Sequence, residues 1–193
     1  MKLFDITRII QEAPLYPGTP PFAMHKVSDL SAGDEYNESE MTLSSHMGTH
    51  ADANSHYLQG GCTIDNMPLE RYLGSCTVMT IPANAVVDSA AFRGKVEGIS
   101  RLVLHGGGSS YLNEEAASYL VQCGVQTVVT DAWSVAPLDQ EAPVHRILLE
   151  AGVAIVENVI LDGVPDGAYQ LSALPIRVAG CDGAPVRAIL FQE

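Results

Sequence analysis

The chain of 193 residues is long enough to bury the core of one domain and short for two, so we expect a single domain over residues 1–193. Hydrophobic residues make up 47% and charged residues 17%, and no apolar run approaches the roughly 18 residues of a membrane helix, which argues against a membrane protein. The formal net charge of -13 has the wrong sign for binding the phosphate backbone of nucleic acid.

The cysteines and the first residues bear on the cellular compartment. The four cysteines are widely spaced and form no CxxC pair, which is typical of reduced structural thiols. Asp5 lies where the apolar stretch of a secretory signal would begin, and no small-residue cleavage site follows it. We therefore expect a cytoplasmic protein.

The N-terminal third of the chain contains short strand candidates separated by turns. Residues 3–7 and 40–44 are the candidates, and prolines and a glycine interrupt the chain between residues 14 and 21. After Gly74 the pattern changes to short apolar runs rich in Val and Ile, which is typical of strands buried on both faces. These runs are residues 76–81, 101–105, 127–130 and 154–156.

Two helices are predicted among these strands. Asn113 offers an N-cap, acidic residues follow it, and Gly124 offers a stop, which predicts a helix between them. A second helix is predicted over residues 143–151, ending before Gly152. Residues 169–174 and 186–191 return to strands. Because strands and helices alternate in the C-terminal half, the sequence predicts an α/β fold with a mixed, partly parallel β core flanked by a few helices.

The segment from His46 to His56 contains three of the six histidines together with Asp52. Divalent metals such as zinc and manganese bind imidazole nitrogen and carboxylate oxygen, so these residue types indicate a metal site. His50 and Asp52 are two residues apart and would point the same way on an extended chain. On a straight strand, His46 and His50 would be too far apart to bind the same metal ion, but Gly48 permits a bend between them. We therefore expect the site to lie on a curled loop.

Two alternatives to a metal site remain open for this histidine segment. Histidines can gather on a polar turn by chance. Nucleophilic catalysis is the second alternative, because Ser44, Ser45 and Ser55 are near, although the sequence has no G-x-S-x-G element.

The histidine segment resembles a family signature. The cyclase family of metal-dependent hydrolases, which includes bacterial kynurenine formamidases and isatin hydrolases, has the signature H-x-G-T-H-x-D-x-P-x-H, and residues 46–56 read HMGTHADANSH. Asn54 replaces the family's Pro, which should loosen the loop or add a polar contact without removing a ligand. Weaker likenesses extend through most of the chain, in residues 5–7, 16–18, 111–117 and 130–135.

The resemblance implies a set of metal ligands, with zinc or manganese expected and one or two ions per subunit. The implied ligands are His46, His50, Asp52, His145 and Glu157. In this scheme Asp52 bridges two ions, and the distal His145 and Glu157 complete the second. A salt bridge with Arg146 or Arg177 is the alternative for Glu157, and an ordinary surface position is the alternative for His145.

The resemblance gives four other residues different roles. It implies that His56 is catalytic and carries a proton to the leaving nitrogen or oxygen. Tyr16, Tyr57 and Trp133 lie near family motifs and are the candidate substrate-binding residues, because aromatic rings stack on planar groups. Each of the three could equally be an ordinary core residue.

The activity implied by the resemblance is that of a metal-dependent hydrolase that cleaves a C–N or C–O bond of a small amide, lactam or lactone with metal-activated water. An arylformamidase acting on N-formylkynurenine is the first form of this activity. A lactone or cyclic amide hydrolase without formamidase activity and a catalytically inactive metal-binding protein of the same fold are the alternatives. The resemblance also implies a swivelling β/β/α fold, a small-molecule substrate, and a homodimer or homotetramer in which residues 14–21 reach a neighbour's site.

Overall fold

The computed structural model describes residues 1–192, which form thirteen β-strands and two α-helices linked by loops and 3-10 turns. The strands are β1 (Lys2–Asp5), β2 (Ala23–Ser28), β3 (Glu38–Thr42), β4 (His50–Asp52), β5 (Leu73–Thr80), β6 (Val86–Val87), β7 (Arg101–His105), β8 (Tyr111–Leu112), β9 (Thr127–Thr130), β10 (Ala154–Glu157), β11 (Gly167–Ser172), β12 (Gly183–Pro185) and β13 (Ile189–Gln192). The helices are α1 (Glu114–Gln122) and α2 (Glu141–Glu150). No helix in this part of the chain is long and apolar enough to cross a bilayer.

Nine strands form one mixed sheet in the order β1-β13-β11-β5-β7-β9-β10-β4-β12. The central strands β5, β7, β9 and β10 are parallel to one another. All other neighbours in this sheet are antiparallel. The parallel strands are the Val- and Ile-rich runs of the sequence, and the prediction of a mixed, partly parallel α/β fold is confirmed.

Each helix lies in a connection between parallel strands, α1 before β9 and α2 before β10. The start of α1 is as predicted, because Asn113 Oδ1 accepts a hydrogen bond from the Ala116 N–H at 2.8 Å. Its end is also as predicted, with Gly124 at a φ of 79°. Helix α2 begins at Glu141 instead of Pro143, because proline is tolerated throughout a first turn, where N–H groups lack helical partners.

Both faces of the central sheet are buried. In β9, Val129 belongs to one hydrophobic cluster and Val128 to another, and β10 alternates in the same way between Val156 and Ile155. Successive side chains of a strand point to opposite faces, so each strand contributes to both clusters. The second cluster also includes buried residues of both helices, such as Leu148. The helices therefore cover one face of the sheet, and this packing holds β10 and α2 together.

Residues 50–52 form strand β4, which corrects the expectation that this part of the site lies on a loop. β4 lies between β10 and β12, with Glu157 of β10 as the register partner of His50. Three residues are too few to show a strand pattern, and the partners of β4 are distant in the chain. The bend expected before it is present at Gly48, with a φ of 68°. Alternation along the strand places Ala51 in the hydrophobic core and directs its neighbours, His50 and Asp52, to the opposite face.

Strands β2 and β3 form a separate two-stranded hairpin. The sequence indicated a strand near β3 but none at β2. Every residue of β3 is exposed, as is nearly all of β2. Met24 and Met41 are register partners and are 55% and 60% exposed. The hairpin therefore presents apolar side chains that the rest of the described chain leaves uncovered.

Candidate active site

Six side chains singled out in the sequence converge at the C-terminal end of β10. This cluster consists of His46, His50, Asp52, His56, His145 and Glu157. Four of them come from the segment around β4, one from α2 and one from β10. The pairing of β4 with β10 and the packing of α2 on the sheet therefore assemble the cluster.

The carboxylates of the cluster lie between its imidazoles. His50 Nε2 is 3.4 Å from Glu157 Oε2. His145 Nε2 is 3.3 Å from Glu157 Oε1 and 3.5 Å from Asp52 Oδ2. The other oxygen of Asp52, Oδ1, is 2.9 Å from His46 Nδ1 and 3.5 Å from His50 Nε2. Asp52 is thus shared between two sides of the cluster, as a bridging carboxylate would be.

Backbone carbonyl groups determine which nitrogen of two histidines faces the carboxylates. His50 Nδ1 lies 3.0 Å from the carbonyl oxygen of Gly48, and His145 Nδ1 lies 2.8 Å from that of Glu141. A carbonyl accepts only, so each Nδ1 is the donor, and a neutral imidazole then keeps a lone pair on Nε2. Both Nε2 atoms face carboxylate oxygens. This arrangement is favourable only if the rings are protonated or a cation lies between the groups.

The electrostatics of the cluster show the same need for positive charge. Burial works to lower the pKa of His50, but Asp52 and Glu157 outweigh it and raise that pKa to about 10. The same balance raises the pKa of His145 to about 10. Burial works to raise the pKa of Asp52, but the neighbouring imidazoles, His145 first, outweigh burial and hold that pKa well below its ordinary value. The carboxylates are therefore ionised and depend on positive partners.

One oxygen atom of the cluster is buried without a hydrogen-bond partner. Asp52 is 0% exposed, and among residues 1–192 its Oδ2 has no such partner. A buried unpaired carboxylate oxygen is costly in free energy. A divalent cation would satisfy this oxygen and the Nε2 lone pairs together. Imidazole nitrogen and carboxylate oxygen suit zinc, manganese and several other divalent metals.

His56 lies on the open side of the cluster. Its ring stacks on that of His46 with 3.9 Å between centroids, and its Nδ1 is 3.7 Å from Asp182 Oδ2. The side chain is 27% exposed, compared with 4% for His50. Burial lowers the pKa of His56 below its ordinary value. The ring is therefore neutral near physiological pH and able to accept a proton.

A cavity of about 260 Å³ opens onto the cluster. The three aromatic residues singled out in the sequence, Tyr16, Tyr57 and Trp133, all line it. The ring centroids of Tyr16 and Trp133 are 5.4 Å apart, and Tyr57 stacks on His145 at 4.6 Å. The Tyr16 hydroxyl donates to Glu141 Oε2 at 2.9 Å. The cavity thus has an aromatic wall facing a polar, titratable one.

The proline-rich stretch lies against its own chain. Pro14, Tyr16 and Thr19 line the cavity beside the cluster. The Tyr16 hydroxyl is hydrogen-bonded to Glu141 of the same chain. The expectation that residues 14–21 also reach a neighbour's site in an oligomer stays a prediction.

Two acidic residues of the site were missed in the sequence. Asp182 Oδ2 is 3.2 Å from His46 Nε2, and Asp182 Oδ1 accepts from Ser45 Oγ at 2.9 Å. Metal-binding histidines commonly donate their second ring N–H to such a carboxylate. The second missed residue is Glu141 at the start of α2, which lines the cavity. Local sequence offers no signal for either, beyond the turn before Gly183 that contains Asp182.

The serine nucleophile and the arginine salt bridge, both open alternatives in the sequence, find no support in this geometry. Ser44 Oγ accepts from a backbone N–H and Ser45 Oγ donates to a carboxylate. Ser55 Oγ is buried without a hydrogen-bond partner among residues 1–192, so none of the three serines is hydrogen-bonded to an imidazole that could activate it. Among the described residues, the ion pairs of Glu157 are with His50 and His145, not with an arginine.

The chain is similar in sequence to known proteins over most of its length. The Cyclase family model, described as "Putative cyclase", matches residues 4–137. The kynurenine formamidase of Maricaulis maris (strain MCS10) is 34% identical over 203 residues, which cover 98% of this chain and 97% of that protein.

Solved structures share the fold over nearly the whole chain. One described as a potential metal-dependent hydrolase with cyclase activity has a TM-score of 0.87 and 26% identity, covering 100% of this chain and 98% of that chain. Isatin hydrolase A from Labrenzia aggregata, bound to benzyl benzoate, has a TM-score of 0.83 and 19% identity. The alignment covers 98% of this chain and 93% of that chain, so the two proteins share the fold. On the family match and the full-length identity, the chain belongs to the cyclase family of metal-dependent hydrolases.

Proposed function

We propose that this hydrolase removes the formyl group of an aryl formamide, with N-formylkynurenine as the candidate substrate. One observation above all supports this proposal: buried carboxylates and imidazoles lie in the same cavity as a wall of aromatic side chains. The 34% identity to a kynurenine formamidase supports the choice of substrate. An aryl ring stacked on Tyr16, Tyr57 or Trp133 would direct its formamide group toward the cluster.

The donor set of the cluster fits one or two divalent ions, with zinc or manganese as the ion. We assign His46, His50 and Asp52 to one ion. Asp52, His145 and Glu157 would hold the other. The unpaired Oδ2 of Asp52 and the two Nε2 lone pairs support this assignment. When bound, such a metal would polarise a carbonyl group and lower the pKa of a water molecule, to about 7 in the case of zinc.

The chain's own residues would position the substrate and move protons. His56 is neutral and partly exposed, so it can accept a proton from the attacking water and pass it to the leaving aryl nitrogen. The products are then formate and an aryl amine. Asp182 would hold the ring of His46 through Nε2, and this fixes the direction of Nδ1 toward Asp52.

Ring opening of a cyclic amide or a lactone is the second candidate function. The fold shared with isatin hydrolase A makes this candidate relevant. A planar lactam would stack on the same aromatic wall and present its carbonyl to the same cluster. A metal-binding protein without turnover is the third candidate. His56 argues against it, because a proton carrier beside the ligands has no role in binding alone.

Hydrolysis assays on N-formylkynurenine, isatin and a simple lactone test the proposal. Each substrate is assayed before and after removal of metal with a chelator. We expect hydrolysis of the formamide that stops on chelation and returns with zinc or manganese. Hydrolysis of isatin or the lactone alone would replace the proposal with the second candidate. No turnover by protein with its full metal complement would support the third.

We also propose that the chain assembles as a homodimer or homotetramer through the hairpin of β2 and β3. Exposed apolar side chains on the hairpin support this, because uncovered apolar patches commonly mark interfaces. They are Met24, Val27, Leu30, Tyr36 and Met41. Light scattering should give a multimer for the wild type and a smaller species for the double variant Met24→Lys, Met41→Lys. A monomeric wild type would contradict this assembly.

A further inference from the structure

A second cavity adjoins the cavity of the cluster. It has a volume of about 450 Å³ and shares Pro14, Trp133 and Asn158 with the first. Its wall also contains Arg8, which is not part of the cluster. We propose that Arg8 binds a carboxylate of the substrate, at the end away from the scissile amide. This inference rests on the proposed function, since it names a specificity-determining residue of the same site.

The guanidinium group of Arg8 has free donors. Its Nε donates to Asn158 Oδ1 at 2.9 Å. Among residues 1–192, this is the only hydrogen bond of the Arg8 side chain, and it forms no ion pair. Arginine is always protonated, and its N–H groups form a planar fork that matches a carboxylate. The second cavity therefore contains a fixed cation whose Nη atoms are available to a ligand.

Hydrogen bonds fix Arg8 next to the cluster. The Arg8 backbone N–H donates to Thr49 Oγ1 at 2.8 Å, and Thr49 Oγ1 donates to the carbonyl oxygen of Asn158 at 2.8 Å. Thr49 immediately precedes His50, and Asn158 immediately follows Glu157. The position of Arg8 is thus tied to two members of the cluster. A substrate whose amide lies at the cluster can extend along Trp133, the shared wall, toward the guanidinium.

The charge of the chain makes a local cation important for binding the carboxylate group of a substrate. The net charge of -13 disfavours a carboxylate at the surface as a whole. The first cavity is lined by no Lys or Arg among the described residues. In the second cavity, Asp131 is only 5% exposed, and its carboxylate accepts from the Gly106 N–H at 3.0 Å. Arg8 therefore supplies the charge that a ligand can reach.

A comparison of two aryl formamides tests the role of Arg8. N-formylkynurenine carries an amino-acid group, with a carboxylate and an ammonium, on its side chain, and 2-formamidoacetophenone is the same aryl formamide without that group. The substitution of Arg8 then separates the contribution of the carboxylate from that of the ammonium. In Arg8→Gln, the ratio of kcat/KM for the first substrate to that for the second should fall by at least about tenfold, mainly through KM, because a charge-assisted hydrogen bond is lost. Arg8→Lys should give an intermediate ratio, since it keeps the charge without the fork.

The matched control is Arg187→Gln, which removes an exposed arginine paired with Asp5. This control should keep the wild-type ratio. Because the ratio cancels damage common to both substrates, a general disturbance of the site does not imitate the expected result. An unchanged ratio in Arg8→Gln would mean that Arg8 only holds Asn158 in place, and would overturn the proposal.

A binding measurement separates this proposal from the proposed function. Trp133 is the single tryptophan of the chain and lines both cavities, so its fluorescence reports ligands in either. Wild-type protein should bind kynurenine more tightly than 2-aminoacetophenone, and Arg8→Gln should bind the two alike. If neither formamide is hydrolysed but this difference is found, the carboxylate site stands and the proposed function fails. Equal affinity of the wild type for both ligands would overturn the carboxylate site.

Discussion

The side-chain Nδ2 of Asn54 donates a hydrogen bond to the carbonyl oxygen of Leu149 over 2.5 Å. Asn54 begins the 3-10 turn that ends at His56, and Leu149 lies in the last turn of α2, which carries His145. The same carbonyl oxygen also accepts from the Gly152 N–H at 3.0 Å, so Asn54 adds a second donor at the end of the helix. The residue that replaces the proline of the family signature thus joins two distant parts of the cluster.

Replacing Asn54 with Ala should lower the free energy of unfolding by about 1 kcal/mol, because a hydrogen bond between two distant segments of the chain is lost. Urea unfolding of the two proteins measures this difference. The control is Asn66→Ala. The Asn66 side chain makes only local, exposed hydrogen bonds, so its loss should lower the free energy of unfolding by less. Equal stability of Asn54→Ala and the wild type would show that this contact contributes nothing.

Replacing His56 with Ala should reduce kcat by about 100-fold or more while the metal content stays near that of the wild type, because a proton carrier is lost and no ligand is removed. Metal analysis and steady-state kinetics on the same preparation measure both quantities. His105→Ala, outside the cluster, is the control. Loss of metal together with activity would make His56 a ligand and refute its assignment as the proton carrier.

Replacing Gly183 with Ala should displace His46. A Cβ atom at this position would lie 2.7 Å from His46 Cε1 and 2.9 Å from the carbonyl oxygen of Ala51, so one of them has to move. Misplacement of a site residue by about 1 Å can cost about 100-fold in rate. We therefore expect a drop of that order in kcat/KM with the fold retained, as judged by circular dichroism. Wild-type kinetics would mean that the position of His46 is not critical.

Thiol reactivity tests the burial of the sheet. Burial raises the pKa of the Cys76 thiol to about 12, and the residue is 4% exposed. At about pH 8.5, the ordinary pKa of a thiol, Cys76 should therefore remain protonated and unmodified by iodoacetamide in the native protein. Cys62 is exposed and should be alkylated. Mass spectrometry after digestion distinguishes the two sites, and equal labelling of both would contradict the packing described.

Elements with local signals were predictable from the sequence. Helix α1 follows from the cap at Asn113 and the stop at Gly124, and strand β9 follows from a short apolar run. The sequence also indicated all six members of the cluster, although four of them came from one segment and the distal pair from a family resemblance. The fold class was predictable for the same reason, because each strand and helix of the parallel core has its own pattern.

Features created by contacts between distant segments were not predictable. Strand β4 has three residues and becomes a strand only because β10 and β12 pair with both of its edges. Asp182 reaches His46 from a segment 136 residues away in the chain. Nothing in the sequence around Tyr16 indicates its hydrogen bond to Glu141, which lies 125 residues further along the chain. In each case a distant segment of the chain, rather than the local sequence, determines the structure.

We expect hydrolysis to depend on a divalent ion held by the cluster. The most direct test is metal analysis of wild type and Asp52→Asn, in parallel with hydrolysis of N-formylkynurenine, with the exposed Asp139→Asn as control. We expect one or two zinc or manganese ions per chain in the wild type and in Asp139→Asn, and loss of both metal and turnover in Asp52→Asn. Wild-type protein that is free of metal and hydrolyses the formamide at an undiminished rate would refute the dependence on a metal.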